Sequence, residues 1–435
     1  MKIVKLFLAG IILLFAFYFR LLFWASWRVL AFSAIIIFGL GLILSELRGL
    51  SRKYANKKRV SSFLIFAIAS LALSYALALE IKFNLTKFIV LNADANQLEK
   101  LGQHFVIGYR NFEEIKTLVS KRAVGGVFIT TRNIRNKTKQ DIQQEIKALQ
   151  DIRQSQGLPP LWIATDQEGG MVSRLSPPLT RLPQLSAIVA GDKKIEQKKD
   201  EVIKYARTQG KELAEIGVNL NFAPGVDLNK GIINPNDKYS KIYQRAISAD
   251  KEVVAKVALW YCQTLEEYGV RCTIKHFPGL GRVSADTHIA DAELHTSIDE
   301  LSNDDWVPFR QVMSNSQAVT MLGHAKLTAV DTKHPVSFSK QVVTDILRKN
   351  WQHNGVLITD DFGMEAVYGS KDGFGLATVK AINAGVDLLL ISYDKDLYYE
   401  AMYALLKASE TGNLDREMLD KSRKRLELSS HASKL

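Results

Sequence analysis

Cysteine is nearly absent: Cys262 and Cys272 are the two in 435 residues. Two cysteines cannot build a disulfide framework or a structural zinc site. Cys262 falls in a helical pattern and Cys272 opens an apolar run, so both are expected as buried thiols. The eight histidines show no paired ligand spacing with Cys, Asp or Glu, so no metal is expected. Nor is there a basic surface for nucleic acid. The formal charge is +12, but residues 1–82 hold eleven Lys or Arg and two Glu, a net of +9, leaving +3 for the other 353 residues. The basic excess belongs to an apolar N-terminus, where membrane topology explains it better than phosphate binding. With 47% hydrophobic residues the composition is that of an ordinary globular protein, not of a disordered one.

Three apolar stretches dominate the start: Leu6–Trp24, Val29–Leu44 and Ser61–Leu79. A membrane-spanning helix needs about 20 largely apolar residues, because a ~30 Å hydrocarbon core is crossed at ~1.5 Å per residue. The third stretch fits, the second fits with its polar flanks, and the first carries Arg20, which must reach an interface or end a short span. Arg48, Arg52, Lys53, Lys57, Lys58 and Arg59 lie between the second and third stretches. By the positive-inside rule that loop and the N-terminus are cytoplasmic, and everything after Lys82 is outside. Residues 1–82 are therefore expected to be a membrane anchor of about three transmembrane helices with the bilayer as partner. A cleaved signal peptide followed by two helices is the alternative.

From about Asn92 short β-rich runs alternate with amphipathic helical patterns. The runs are His104–Tyr109, Gly126–Ile129, Leu161–Thr165, Leu220–Ala223, Cys272–His276, Val319–Gly323, Gly355–Thr359 and Asp387–Ile391. Helical patterns such as Lys198–Ile216, Lys251–Tyr268, Ser339–Trp351 and Gly375–Ala384 separate them. Such alternation implies a parallel sheet, and eight repeats imply a closed α/β barrel, a (β/α)8 TIM-like fold over residues 83–435. An open doubly wound sheet is the rival, but no Gly-rich dinucleotide fingerprint follows the first strand.

Titratable residues recur where those runs end. Asp166 follows the third, Lys275 and His276 end the fifth, His324 follows the sixth, and Asp360 and Asp361 follow the seventh. One Asp after a strand is usually a helix cap; four strands behaving alike suggest a site on the C-terminal face of a barrel. Three segments carry the chemistry. They are Lys275-His276-Phe277-Pro278-Gly279-Leu280-Gly281 followed by Asp286-Thr287-His288, then Asp166-Gln167-Glu168-Gly169-Gly170-Met171-Val172-Ser173-Arg174, and Thr359-Asp360-Asp361-Phe362-Gly363-Met364.

Together these segments resemble glycoside hydrolase family 3, specifically its single-barrel, NagZ-type β-N-acetylhexosaminidases, from about Leu101 to Lys407. The resemblance implies roles. Asp360 matches the nucleophile, His288 the general acid/base oriented by Asp286, and Asp166, Arg174, Arg245, Lys275 and His276 the residues that hold the sugar. It also implies no cofactor, a terminal GlcNAc of a glycan or muropeptide as substrate, and a bacterial source. With the anchor, the expected location is the bacterial inner membrane, with the catalytic domain extracytoplasmic. A β-glucosidase or a glycoside phosphorylase of the same family, or a catalytically silent cell-wall-binding module, are the alternatives.

The residue types agree with that chemistry. A retaining glycosidase needs one carboxylate under the anomeric carbon and a proton donor beside the leaving oxygen. Imidazole titrates near neutrality, and a carboxylate two residues away can turn back to fix its tautomer. Adjacent Asp361 reads as a cap, and His324 as part of a polar barrel floor. Arg245 sits in Tyr243-Gln244-Arg245-Ala246, where the family usually has a Gly-Asp-Arg-Ser string. Met171 stands where the family commonly has Arg, and Leu280 where it commonly has a second His, which bears on the aglycone side and the loop. His288 lies twelve residues past His276, beyond Gly279 and Gly281. That glycine-bearing loop is expected to move, with an open resting form.

Overall fold

The computed structural model describes residues 2–50, 56–235 and 237–431. The chain divides into two compact units, Met1–Asn92 and Ala93–Leu435.

The first unit holds the helices Lys2–Tyr18, Arg28–Leu50 and Asn56–Leu91. Among the described residues two stretches are long and apolar enough to cross a membrane, Arg28–Leu47 and Arg59–Leu91. The first helix has 17 residues; at ~1.5 Å per residue it falls short of a ~30 Å core. Its sequence explains the stop, since Arg20 lies just past its end and pairs with Glu80. Small and medium side chains face inward, with Ala16, Ala31, Ala72 and Ala76 packed around Phe19 and Ile35. Many large ones face out, including Phe7, Phe23, Trp27, Ile37 and Phe63, although Phe19 is fully buried. A helix bundle in water buries its large apolar residues; this one displays them. Arg52 and Lys53 of the basic loop lie outside the described residues.

The second unit is a closed barrel of eight parallel strands. In chain order they are β1 Phe105–Gly108, β2 Gly126–Ile129, β3 Trp162–Thr165, β4 Leu220–Asn221, β5 Arg271–Phe277, β6 Val319–Leu322, β7 Leu357–Asp361 and β8 Leu388–Ile391. All eight coincide with the runs read from sequence, and β1 closes on β8. Alternate residues point into the lumen: Val106, Phe128, Trp162, Ala164, Leu220, Phe222, Val319, Met321, Val356, Ile358, Leu388 and Leu390 form one buried cluster. That two-residue period follows from the pleat. Strand β5 contributes nothing to this cluster.

Helices cover the outside, and local chemistry starts them. Asp250 accepts hydrogen bonds from the backbone N–H of Glu252 and Val253, capping Lys251–Glu266. The expectation of free thiols is corrected on this helix. Cys262 and Cys272 are joined in a disulfide, with Cα atoms 5.2 Å apart, and both are fully buried. The residues 267–270 turn the chain straight back, so the helix lies on the strand that follows it. Spacing in sequence does not reveal that contact.

Candidate active site

Two strands slip in register where they carry the polar residues. The pairing of β5 with β6 shifts between Ile274 and Phe277, around Lys275 and His276. The pairing of β7 with β8 shifts between Ile358 and Asp361, around Asp360. Such irregularities re-aim side chains at the rim of a barrel. The peptide bonds Lys275–His276 and Phe277–Pro278 are both cis.

Lys275 is almost completely buried, and its Nζ donates to Asp166 Oδ1 at 2.7 Å and lies 2.6 Å from Glu168 Oε1. Burial would lower the lysine pKa, but Asp166 and Glu168 outweigh it and hold the ammonium charged. Glu168 also takes Arg245, whose Nε donates to Oε2 at 3.0 Å and whose second guanidinium nitrogen bonds Oε1. Burial pushes the Glu168 carboxyl up, and the charges of Arg245 and Lys275 bring it well below the usual range. Arg245 in turn donates to the Ser240 carbonyl at 2.7 Å. Arg174 stands looser, 4.0 Å from Asp166 with 48% of its side chain exposed. Asp166 reaches the cluster because the chain turns after β3 into a hairpin, Gln167–Gly169 against Val172–Ser173. Gly169, at φ +94°, makes that turn; a Cβ there would lie 2.1 Å from Tyr205 Oη.

His276 is pinned by a residue that the sequence reading did not single out. Its Nδ1 donates to Asp227 Oδ2 at 2.8 Å, its backbone N–H reaches the same carboxylate at 3.2 Å, and the Leu280 N–H donates to Oδ1 at 2.7 Å. Asp227 arrives there because the chain past β4 keeps running beside β5, with the Val226 N–H donating to the Lys275 carbonyl. The sequence signal was weak, for Asp166 comes directly after the third strand whereas Asp227 lies six residues beyond the fourth. Glu168 was passed over in the same way, although it is the hub between Lys275 and Arg245.

Asp360 accepts the Asp361 N–H at 2.8 Å. Burial pushes its carboxyl up, but the imidazoles of His276, His324 and His288 bring it down to about 2. Asp361 instead caps a loop, accepting N–H groups of Gly363, Ser392 and Tyr393. His324 is fully buried between the Ser337 hydroxyl at 2.7 Å and the Asp361 carbonyl at 3.0 Å.

His288 Nδ1 donates to Asp286 Oδ1 at 2.7 Å, and the other Asp286 oxygen accepts the Tyr239 N–H at 3.2 Å. Burial lowers the His288 pKa, but the Asp286 hydrogen bond and the charge of Asp360 raise it above its ordinary value. The loop is docked, not open as expected for the resting form: the Glu365 and Ala366 N–H groups donate to the His288 and Thr287 carbonyls. Leu280 is buried and packs with Ile242, Ala292 and Ala325, anchoring the base of this loop.

These side chains therefore present two halves, a buried ionic floor and a carboxylate faced by an Asp–His pair. Known proteins share the arrangement's framework. The β-hexosaminidase A of Pseudoalteromonas piscicida is 31% identical over 338 residues, 72% of this chain and 54% of that protein. A β-hexosaminidase of Neisseria meningitidis serogroup C is 33% identical over 301 residues, 68% of this chain and 78% of that one. A solved family 3 β-N-acetylglucosaminidase from Paenibacillus sp. FPU-7 superposes with a TM-score of 0.70 at 30% identity, covering 77% of this chain and 62% of its own. The chain thus spans about half the length of the Pseudoalteromonas relative. Residues 97–428 match the N-terminal domain of glycosyl hydrolase family 3, and the chain belongs to that family.

Proposed function

We propose that the protein is a retaining exo-β-N-acetylglucosaminidase that removes a terminal, non-reducing GlcNAc. Asp360 attacks the anomeric carbon while His288 protonates the departing glycosidic oxygen. This leaves a covalent glycosyl–Asp360 intermediate and a neutral imidazole. That imidazole then takes a proton from water, which attacks the anomeric carbon and frees Asp360 with net retention. The observation that carries the reading is the Asp286–His288 pair beside ionised Asp360. Asp286 occupies Nδ1, so Nε2 is the nitrogen left to exchange the proton. With the Asp360 carboxyl down at about 2 and the His288 imidazole raised above its ordinary value, a wide pH range between the two keeps the carboxylate ionised and the imidazole protonated together, the combination that the first step needs. Asp166, Arg174, Arg245, Lys275 and His276 bind the sugar in this reading, since a fixed array of charges matches hydroxyls that both donate and accept.

The substrate class follows from the relatives, which are named as hexosaminidases, and peptidoglycan fragments from the family resemblance. Two long apolar helices support an anchor of residues 1–82 in the inner membrane of a bacterium. The Cys262–Cys272 bond supports a barrel outside the cytoplasm, where disulfides persist.

Turnover of 4-nitrophenyl β-glycosides tests the activity. The GlcNAc glycoside is hydrolysed to the β-anomer of the free sugar. Preference for the glucoside would make the protein a β-glucosidase, phosphate-dependent release of a sugar phosphate would make it a phosphorylase, and no turnover at all would leave a binding module.

A further inference from the structure

The long loop between β4 and the helix Lys251–Glu266 carries Arg245 and runs beside the loop of the proton donor. Its two ends are drawn together, with the Asn229 N–H donating to the Ser248 carbonyl at 3.0 Å. From that base it grips the donor loop at two points. Asn234 Nδ2 donates to the Ser284 carbonyl at 2.6 Å, and the Tyr239 N–H donates to Asp286 Oδ2 at 3.2 Å. The hydrogen bonds that reach the donor loop from the β7 side, Glu365 N–H to the His288 carbonyl and Ala366 N–H to the Thr287 carbonyl, are 3.3 and 3.4 Å long. The shorter bonds are those from the β4 side.

A backbone N–H can orient a carboxylate only where the backbone itself is fixed. Residues 237–241 meet that condition through Asp237. Its Oδ1 accepts the Ser240 N–H at 2.9 Å and its Oδ2 the Lys241 N–H at 2.7 Å, closing a turn with Tyr239 inside it. Lys241 sits at φ +45°, a left-handed backbone that a lysine keeps only where its surroundings impose it. The far side of the turn is fastened to the buried floor. The Ser240 carbonyl accepts Arg245 Nη1 at 2.7 Å, the Lys241 carbonyl accepts the Gln244 and Arg245 N–H groups, and Arg245 is paired with Glu168. Asp286 therefore has Oδ1 on His288 and Oδ2 on a turn anchored in the sugar floor. We infer that Asp237 is a positioning residue for the proton donor, acting through the Tyr239 N–H on Asp286 and so on His288. This deepens the reading of His288 as general acid and rests on it. Without the turn the Asp286 carboxylate is free to swing away from Nδ1, and the imidazole loses its aim while Asp360 keeps its own partners.

The test compares kcat/KM for the 4-nitrophenyl and methyl β-GlcNAc glycosides in the full chain. Methanol leaves only with the donor's proton, whereas 4-nitrophenolate hardly needs it. The nitrophenyl-to-methyl ratio is taken within each variant, so a lower folded fraction cancels. Removing a general acid costs ~10²–10⁴-fold on a poor leaving group; one left in place but misaligned should lose about 10-fold. Asp237→Ala is thus expected to raise the ratio about 10-fold. Asp237→Asn, which keeps one acceptor oxygen, falls between it and the wild type. Asn234→Ala, which removes the exposed clamp on Ser284, raises the ratio by a smaller factor. In a His288→Ala background Asp237→Ala leaves the ratio unchanged, because a residue that acts through another adds nothing once that other is gone. A wild-type ratio in Asp237→Ala, or in Asn234→Ala should the former not fold, overturns the inference. So does a further rise in the His288→Ala background, which would mean that Asp237 acts by another route. A wild-type ratio in His288→Ala alone is a separate result: it overturns the donor reading itself and takes this inference with it.

Discussion

Asp227→Ala probes the buried half of the site. The wild-type carboxylate is 2% exposed and satisfies three donors: His276 Nδ1–H, the His276 N–H and the Leu280 N–H. An unmatched buried donor costs about 1–3 kcal/mol. The space vacated by a carboxylate admits water, so the low end applies and the total is about 3 kcal/mol. For a unit of this size each kcal/mol shifts Tm by roughly 2 °C, which gives a fall of about 6 °C. Thermal unfolding followed by near-UV circular dichroism of the detergent-solubilised chain reads this directly. Asp227→Asn separates structure from chemistry. The amide oxygen can still accept the two backbone N–H groups, so most of the stability returns. Its NH2 group faces Nδ1, however, and forces His276 into the other tautomer, so kcat/KM stays depressed by an order of magnitude or more. A wild-type Tm in Asp227→Ala would refute the pinning argument. Full activity in Asp227→Asn would refute the tautomer argument.

Asp360→Ala should abolish turnover with an unchanged fold, while Asp361→Asn keeps chemistry but loosens the Ser392–Tyr393 loop; the reverse ranking in a glycosidase assay would misplace the nucleophile by one residue. His288→Ala should lose ~10²–10⁴-fold on poor leaving groups and much less on 4-nitrophenol, and equal losses would leave it a binding residue. The donor is active when protonated, and its pKa is raised, so kcat/KM falls as pH rises through a value above 6.5; Asp286→Asn removes the supporting charge and moves that alkaline limb to lower pH. Reducing Cys262–Cys272, which are ten residues apart, should cost about 2–3 kcal/mol of stability, measured by denaturant titration with and without reductant. An alkaline phosphatase reporter fused after Leu435 should be active and one fused at Lys53 inactive; the opposite pattern would put the barrel in the cytoplasm.

The sequence by itself determined the eight strands and the alternation that closes them, because β-propensity, two-residue patterning and helix caps are local properties. It also carried the short segments around Asp166, Lys275, His288 and Asp360, since residues at consecutive strand ends share one face of any barrel. What tertiary structure decided are relations between those ends. Glu168 meets Arg245 across 77 residues and Asp227 meets His276 across 49. Both contacts exist only because β3, β4 and β5 are neighbours in the closed sheet. An acidic residue in the segment between a strand and the next helix looks the same in sequence whether it caps that helix, as Asp250 does, or orients an imidazole, as Asp227 does. The Cys262–Cys272 bond needed the helix laid back on its own following strand. The docking of Asp286 needed the Tyr239 backbone, a partner that no side-chain pattern encodes. Burial and pairing are properties of which segments close upon one another, and that is set by the packed barrel as a whole.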